Sequence, residues 1–436
     1  MSKPVIVEKS LLWPFVLITS LFALWGFANA VTDPMVTAFK KVLELSNFQA
    51  SLVQLAFYGG YFTMALPAAL FVWRYSYKTG VLIGLSLYAL GAFLFYPAAM
   101  AESFGFFLTG LYVLTFGLAF LETTANPYIL AMGDKRTSIQ RLNLAQAFNP
   151  LGLLGGLLVA QQFVLMRLQS DDIDYGQLDE SAKAMIRQAD LLVIRDPYLA
   201  LGVVVLIILL VIAFNKMPEG KSSGVSESIR GTITRLFSKR KYVFGVVAQA
   251  LNVGAQIMCW TYIYHYAESI NVSGEVAANY QFFAFVLFFV GRFICTFLLR
   301  YVDSGRLLMV LSLSAALSVL GTMFLIGMPG LYSLVSTSLF MSLMFPTIYG
   351  ISLEGLSEDE SKIGAAGLVM AIVGGALMPS IQGSILDLGG AGLSDVIVLG
   401  IPEINFSFIL PLICFLMIAF FGSYATKLKK LVRKER

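Results

Sequence analysis

Two carboxyl groups stand where carboxyl groups are expensive. Glu122 lies inside the apolar run 104–131, about 14 Å from its Ala131 end at 1.5 Å per residue, with no basic residue near it in sequence. An ionisable side chain near the middle of a bilayer costs about 2.5–3.5 kcal/mol on insertion scales. A carboxyl at that depth can take and release a proton, the chemistry that proton coupling needs. The competing reading is a protonated glutamic acid bonded to a neighbouring helix as structural glue. Asp33 ends the first apolar run beside Pro34, about 33 Å from Leu11 along a helix. It either caps that helix at the outer surface or forms a second proton group, reachable from outside, that hands its proton inward to Glu122.

Uncharged amides in the same kind of apolar run point to a neutral, hydroxyl-rich ligand. Sugars are held by amides, which both donate and accept, and by aromatic faces that match the apolar side of a pyranose ring. Asn143, Gln146 and Asn149 recur at three-residue steps, along one drifting face of a helix. Gln249, Asn252, Gln256 and Trp260 do the same at steps of three and four. These two stripes are expected to face one central cavity, with hydrogen bonding between helices as the alternative for each. Asn126 beside Pro127 and Asn279 are candidates to join the lining. Arg292 is a cation in the middle of an apolar run and needs a carboxylate or carbonyl partner that the sequence does not identify. His265, among Tyr262, Tyr264 and Tyr266, reads as an interfacial residue, and Glu354 and Lys362 as solvated charges at a turn.

The elements that must position these groups are membrane helices. Of 436 residues 58% are hydrophobic and only 13% charged, against about 25% charged in a soluble domain. The apolar residues fall in blocks such as Leu11 to Val31, Val81 to Met100 and Tyr198 to Phe214, each near the ~20 residues that cross ~30 Å of hydrocarbon. In lipid such blocks are helices, because an isolated strand leaves its backbone unpaired. Charges bound candidate spans at 11–32, 50–72, 79–100, 104–131, 143–167, 197–215, 242–267, 276–299, 307–327, 330–352, 362–386 and 404–426. The run at 11–32 ends in Ala28-Asn29-Ala30, as a cleaved leader can, but it is longer than a leader core, so an uncleaved first helix is expected.

An even number of spans puts both termini on one side, and Arg74, Lys78, Lys135, Arg136, Arg141, Arg300, Arg306 and the C-terminal basic cluster put that side in the cytoplasm. The basic residues sit between apolar blocks, so the net charge of +4 reports topology and not a nucleic-acid partner. Residues 1–215 read as one six-helix bundle, 216–241 as a basic, Ser/Gly-rich cytoplasmic linker and 242–436 as a second bundle. The loop 169–197 is acidic, with Asp171, Asp172, Asp174, Asp179 and Glu180, and a short interfacial helix over Ala182 to Leu192 is weakly indicated. A faint internal echo pairs Asn126-Pro127-Tyr128-Ile129 with Phe345-Pro346-Thr347-Ile348, and Gly155-Gly156 with Gly374-Gly375. Cys259, Cys295 and Cys414 are far apart without metal-ligand spacing and read as packing residues. Gly152 to Gly156 lacks the strand and lysine of a phosphate cradle, and no nucleophile–base pair or metal cluster marks an enzyme.

Several motifs together resemble one family, the L-fucose–proton symporters and related glucose/galactose permeases of the major facilitator superfamily. They are Ala28-Asn29 with Asp33, Asn47-Phe48-Gln49-Ala50 leading to Phe57-Tyr58, Leu121-Glu122-Thr123 with Ala125-Asn126-Pro127, and Arg141 to Gln146 with Phe148-Asn149. The second half adds Val253-Gly254-Ala255-Gln256 with Cys259-Trp260, Ala278-Asn279-Tyr280, Phe289-Val290-Gly291-Arg292-Phe293 and Phe345-Pro346-Thr347. The resemblance implies an all-α membrane protein with the major facilitator fold, about twelve helices in two six-helix bundles, in the bacterial inner membrane. It implies uptake of a small neutral sugar with a proton by alternating access, without a cofactor. Asp33 and Glu122 match the family's protonatable pair, Gln146 and Asn149 its sugar-contacting amides, and Asn29 of the first motif joins that set. Ala30 and Thr32 stand where the fucose-type pattern has asparagines, which bears on sugar fit at the outer proton site. L-fucose is the leading substrate, ahead of glucose, galactose and N-acetylglucosamine. A sodium-coupled symporter, a uniporter and a non-transporting sugar receptor are the rival readings. Oligomeric state is not legible in the chain.

Overall fold

The computed structural model describes residues 5–45, 47–171, 178–218, 229–386 and 396–434; of 33–38, 40, 41, 47, 48, 50, 51, 165, 171, 275 and 432–434 it describes only the backbone. The chain is helical nearly throughout, as a backbone without water must be. In order the helices are α1 (Leu12–Val42), α2 (Asn47–Arg74), α3 (Tyr77–Phe93), α4 (Phe95–Met100), α5 (Phe104–Ala131), α6 (Ser138–Gln146), α7 (Asn149–Val159), α8 (Glu180–Phe214), α9 (Ile229–Ser238), α10 (Arg240–Ser269), α11 (Gly274–Leu298), α12 (Ser304–Phe324), α13 (Met328–Met341), α14 (Met344–Leu353), α15 (Glu358–Met370), α16 (Gly374–Leu386), α17 (Glu403–Ser407) and α18 (Ile409–Lys434). A two-residue hairpin, β1 (Ile397–Val398) with β2 (Ile401–Pro402), precedes α17. Among the described residues, twelve helical stretches are long and apolar enough to cross a membrane, as the hydropathy blocks predict.

Three boundaries differ from those read in the sequence. The first helix does not end at Asp33; its backbone continues through Pro34 to Val42, so Asp33 is no terminal cap. The fifth span begins at Lys135, with a 3-10 turn over Lys135–Thr137 leading into α6. The stretch Ala182 to Leu192 is no separate helix but the first third of α8, started by the Asp179 side chain accepting from Ala182 N at 3.0 Å. Asp190 on that extension is fully buried and accepts from the N–H groups of Gln169 and Ser170 at 2.8 and 3.0 Å. Removing it leaves two donors unmet, so Asp190→Ala should cost about 1–3 kcal/mol. A lower thermal midpoint of the purified protein would register this, with a smaller drop for Asp190→Asn.

The chain divides into two compact units. One comprises residues 7–132 and 148–222. In it α5 packs on α2 and α3, and α1 packs on α7. The α1–α7 contact is backbone to backbone: a Cβ at Gly152 would stand 1.8 Å from the Ala23 carbonyl oxygen, and one at Gly26 1.9 Å from that of Asn149. The other unit comprises 1–6, 133–147 and 223–436. Here α12 packs on α13 and α18, and α10 on α16 and α18. Gly374 brings α16 onto α10, its absent Cβ 2.2 Å from the Ala250 carbonyl oxygen. Of the expected pair Gly155-Gly156, Gly156 also meets α1, with a Cβ there 2.6 Å from the Phe27 carbonyl oxygen, whereas Gly155 has nothing within 4 Å of a Cβ; the contact as tight as that of Gly374 is made by Gly152.

Charged groups in this second unit tie its helix ends together. The acidic N-terminus of α15 carries a capping box between Ser357 and Glu360, and Lys239 donates to both Glu360 carboxylate oxygens at 2.6 and 2.7 Å, fastening α9 and α10 to it. The Ser/Gly-rich part of the expected linker lies outside the described residues. Lys362 is buried and pairs with Glu358 at 3.2 Å, so it is not the solvated charge expected, whereas Glu354 is exposed and pairs with Lys429 at 3.3 Å. Burial works against ionisation of Asp303, but Lys429 at 3.1 Å and the N–H groups of Arg306 and Gly305 together outweigh it and hold the carboxyl below its usual range.

Candidate functional site

The expected site residues fall into two groups, one in each unit. In the unit of 7–132 and 148–222, Glu122 rides on α5 among neighbours that are almost all buried, yet is itself only partly covered. Thr115, seven residues earlier on the same helical face, has the side chain that a Cβ at Gly60 would strike, so this face is turned to α2. Glu122 makes no ion pair among the described residues. Its backbone carbonyl accepts from the Asn126 amide at 2.9 Å, and Asn126 is fully buried. The next residue, Pro127, lies inside the helix and can donate no N–H to the carbonyl of residue 123. Asn29 is partly covered on α1. Asn149, at the start of α7, is also partly covered and donates to the Phe22 carbonyl on α1 at 3.3 Å. Asp33 lies on the helical backbone of α1, and its side chain is outside those described.

The other unit holds Asn143, Gln146, Asn252, Gln256, Trp260 and Asn279. The lower part of span five is amphipathic in an unusual sense, with Gln140, Asn143 and Gln146 at three-residue steps. All three are buried. Gln140 donates to the Thr296 carbonyl on α11 at 3.1 Å, and Asn143 to the Thr347 hydroxyl on α14 at 3.1 Å as well as to Ile139 of its own helix at 2.9 Å. Gln146 accepts from Arg292 of α11. The carbonyl partner that Arg292 needed is thus the backbone oxygen of Gln146, 3.1 Å from the guanidinium.

Along α10 the stripe divides. Gln249 and Asn252 are fully buried, and neither amide finds a hydrogen-bond partner among the described residues. Buried amides left unpaired cost several kcal/mol relative to paired ones, about 1–3 by protein mutational measures. Gln256 is partly covered. Trp260 is nearly buried, donates from Nε1 to the Ser338 hydroxyl at 3.1 Å and meets Phe285 and Phe288 edge-on, with centroids at 4.8 and 5.1 Å. Asn279 is exposed near the start of α11. His265 is partly covered beside the Tyr262 ring, 4.9 Å away.

Reading the sequence missed Thr347, Ser338 and Phe288. Phe345-Pro346-Thr347 was visible as a repeat signal and as a family motif but not as part of the site, and nothing local separates Ser338 or Phe288 from their many apolar and small neighbours. The chemistry that results is uncharged hydrogen bonding beside an aromatic surface in one unit and a carboxyl without a countercharge in the other. Among the described residues no cluster of His, Cys, Asp and Glu could hold a metal.

Comparison with known proteins gives a consistent placement. The family described as the Major Facilitator Superfamily matches residues 15–379. The L-fucose-proton symporter of Haemophilus influenzae is 55% identical over 432 residues, 98% of this chain and 99% of that one. The L-fucose-proton symporter of Escherichia coli is 34% identical over 428 residues, 96% of this chain and 94% of that one. Among solved structures, that of the Major Facilitator Superfamily transporter FucP in the outward conformation is similar with a TM-score of 0.86 and 34% identity, covering 96% of this chain and 99% of that chain.

Proposed function

Because this chain belongs to the major facilitator superfamily and, within it, to the family of the L-fucose–proton symporters, we propose that it is a multi-pass membrane transporter that takes up a neutral sugar with a proton, with L-fucose as the leading substrate. One observation carries the coupling: Glu122 is a partly covered carboxyl in mid-span without an ion pair among the described residues. With no countercharge to hold it ionised, its cheapest way to sit in hydrocarbon is to carry a proton. A sugar that binds better to one protonation state of the site than to the other then links its own movement to that of the proton.

In this reading Asp33 receives the proton from outside and Glu122 passes it on. Asn29, Asn126, Asn149, Asn143, Gln146, Asn252, Gln256, Trp260 and Asn279 form the sugar-contacting set, the amides serving hydroxyls and the indole the apolar face of the ring. The halves 1–215 and 242–436, joined by 216–241, alternate access between the two sides. The chain resides in the bacterial inner membrane with both termini cytoplasmic, and its reaction uses the co-transported proton and no bound cofactor. It is a transporter and not an enzyme.

The test is the pH of a lightly buffered, de-energised suspension of cells expressing the protein, after pulses of L-fucose, galactose, glucose and N-acetylglucosamine. Rapid alkalinisation with L-fucose is the expected result, since protons enter with the sugar. No pH change with any sugar, with the protein confirmed in the membrane, would move the reading to sodium coupling, uniport or a receptor.

A further inference from the structure

Buried amides in the unit of 1–6, 133–147 and 223–436 join helices. Gln140 reaches the Thr296 carbonyl and Asn143 the Thr347 hydroxyl. Gln382 of α16 donates to the Ser407 hydroxyl of α17 at 2.9 Å, and Asn405 of α17 to the Thr322 carbonyl of α12 at 2.8 Å. Gln249 and Asn252 break this pattern. Both are 0% exposed, and neither the nitrogen nor the oxygen of either amide has a hydrogen-bond partner. They stand three residues apart on one face of α10 and do not bond even to each other. Among the described residues no other amide side chain is buried with both of its polar atoms unmet.

Their neighbours place them. A Cβ at Gly245 would strike the Ser352 side chain of α14, and Trp260 donates to Ser338 of α13. From Gly245 to Trp260, α10 therefore runs antiparallel to the tenth span, and Gln249 and Asn252, on the face of Gly245, come level with the stretch 345–348. That span is divided into α13 and α14, and Pro346 gives no N–H to the Ser342 carbonyl. Transporter sites lie near the bilayer midplane where spanning helices are discontinuous. Gln249 and Asn252 are about 14 and 18 Å along α10 from Arg240, close to the middle of a 30-residue helix. Next on the same face come Gln256, partly covered, and the Trp260 indole.

We propose that Gln249 and Asn252 are the inner end of the sugar-binding stripe of α10, two amides left unbonded within the protein so that sugar hydroxyls bond them once the ligand has passed Gln256 and Trp260. This rests on the reading of Gln256 and Trp260 as sugar contacts; it adds Gln249 to that set and gives Asn252 its place in it. An amide offers an acceptor and two N–H donors, which suits a hydroxyl, itself both donor and acceptor. No internal hydrogen bond has to break for the contact to form. The cost falls on the empty protein, where a buried unmet amide destabilises and an apolar side chain of the same shape does not. An amide that joins helices has the opposite sign, because its removal weakens the fold.

That sign is the basis of the test. Thermal midpoints are measured without sugar for the purified parent, Gln249→Met and Asn252→Leu, and KM values by counterflow in proteoliposomes. Gln249→Met, nearly the same shape as the parent side chain, should raise the midpoint by about 2–4 °C. It should also raise KM for L-fucose about tenfold, with the maximal exchange rate changed much less. Asn252→Leu should raise KM in the same way. With forms of L-fucose that each lack one ring hydroxyl, the Gln249→Met loss should shrink to less than about twofold for the form missing the hydroxyl that Gln249 holds. A lower midpoint or failure to fold for Gln249→Met would show a strut between helices, an unchanged KM would show that no sugar uses the amide, and equal losses for every sugar would show that it bonds no particular hydroxyl; each overturns the proposal. Unchanged KM values for both Gln256→Ala and Trp260→Ala would instead overturn the reading of α10 as a sugar-facing helix.

Discussion

Glu122→Gln abolishes uphill accumulation of L-fucose while leaving exchange of sugar across the membrane. The substitution keeps the shape of a protonated glutamic acid and its capacity to hydrogen bond, so the partly covered position on α5 should remain built as it is. It removes the one thing the mechanism asks of the residue, the release of a proton. Exchange can run through the loaded, protonated form alone, and the variant imitates that form permanently. Net uptake against a gradient requires the empty carrier to return after losing its proton, which the amide forbids. The size of the effect follows from the driving force: each 100 mV is worth about 2.3 kcal/mol per charge carried inward, or about fiftyfold accumulation. Energised vesicles with the parent protein should approach accumulation of that order, and those with the variant should show no net accumulation, only exchange against sugar preloaded inside. Equal accumulation by the two would remove Glu122 from the coupling machinery, and loss of exchange as well would make it a structural or sugar-binding group.

The second large effect is on assembly. Gly152→Val should leave almost no folded protein, while Gly155→Val, one turn along the same helix, should be close to neutral. Overpacking in a core that can relax costs about 1–3 kcal/mol. At Gly152 the obstacle is the Ala23 carbonyl, a backbone atom that cannot rotate aside. To admit a Cβ, α1 and α7 must separate along their length, which would also break the Asn149 contact to Phe22 and cost a large part of a stability of only about 5–15 kcal/mol. At Gly155 nothing lies within 4 Å of the added atom. The fraction of each variant that elutes as a monodisperse species after extraction measures the difference, and equal fractions would show that the helix contact is not as close as described.

The residues explain why some of this could be read in advance. Hydropathy registers the difference between lipid and water, so the twelve spans and the odd carboxyl of Glu122 stand out. It does not distinguish water from the inside of a helix bundle. Lys135, Arg136, Gln140 and Arg141 read as a connection because they are polar, yet Gln140 and Arg141 are buried, Gln140 donating to the Thr296 carbonyl of α11 and Arg141 to the Ile6 carbonyl and the Thr137 hydroxyl. Lys362 misleads for the same reason, its charge being met by Glu358 one turn away. Asp33 beside Pro34 looked like a helix end, but proline interrupts only one hydrogen bond, and the backbone of α1 carries on to Val42. The α8 extension was underestimated because its support, Asp190 holding the 3-10 turn at Gln169, comes from a partner about twenty residues distant. Within the site, spacing found the amides, but which of them look toward a ligand and which toward another helix depends on partners such as Thr347 and Ser338 that no local pattern announces.

The close backbone contacts at Gly26, Gly152 and Gly374 also set how force can travel. Helices separated by bulky side chains can slide, because rotamers yield. Those joined carbonyl to Cα have no such play. The pair α1 and α7, and likewise the pair α10 and α16, should each behave as a stiff strut throughout a transport cycle, so that Asn29 and Asn149 keep their mutual spacing whichever side of the membrane is open. Flexibility is then displaced into the joints at the ends of the struts, above all the interruption of span five at Ala147 and Phe148, where a single proline leaves the chain free to bend without breaking anything that the glycines hold.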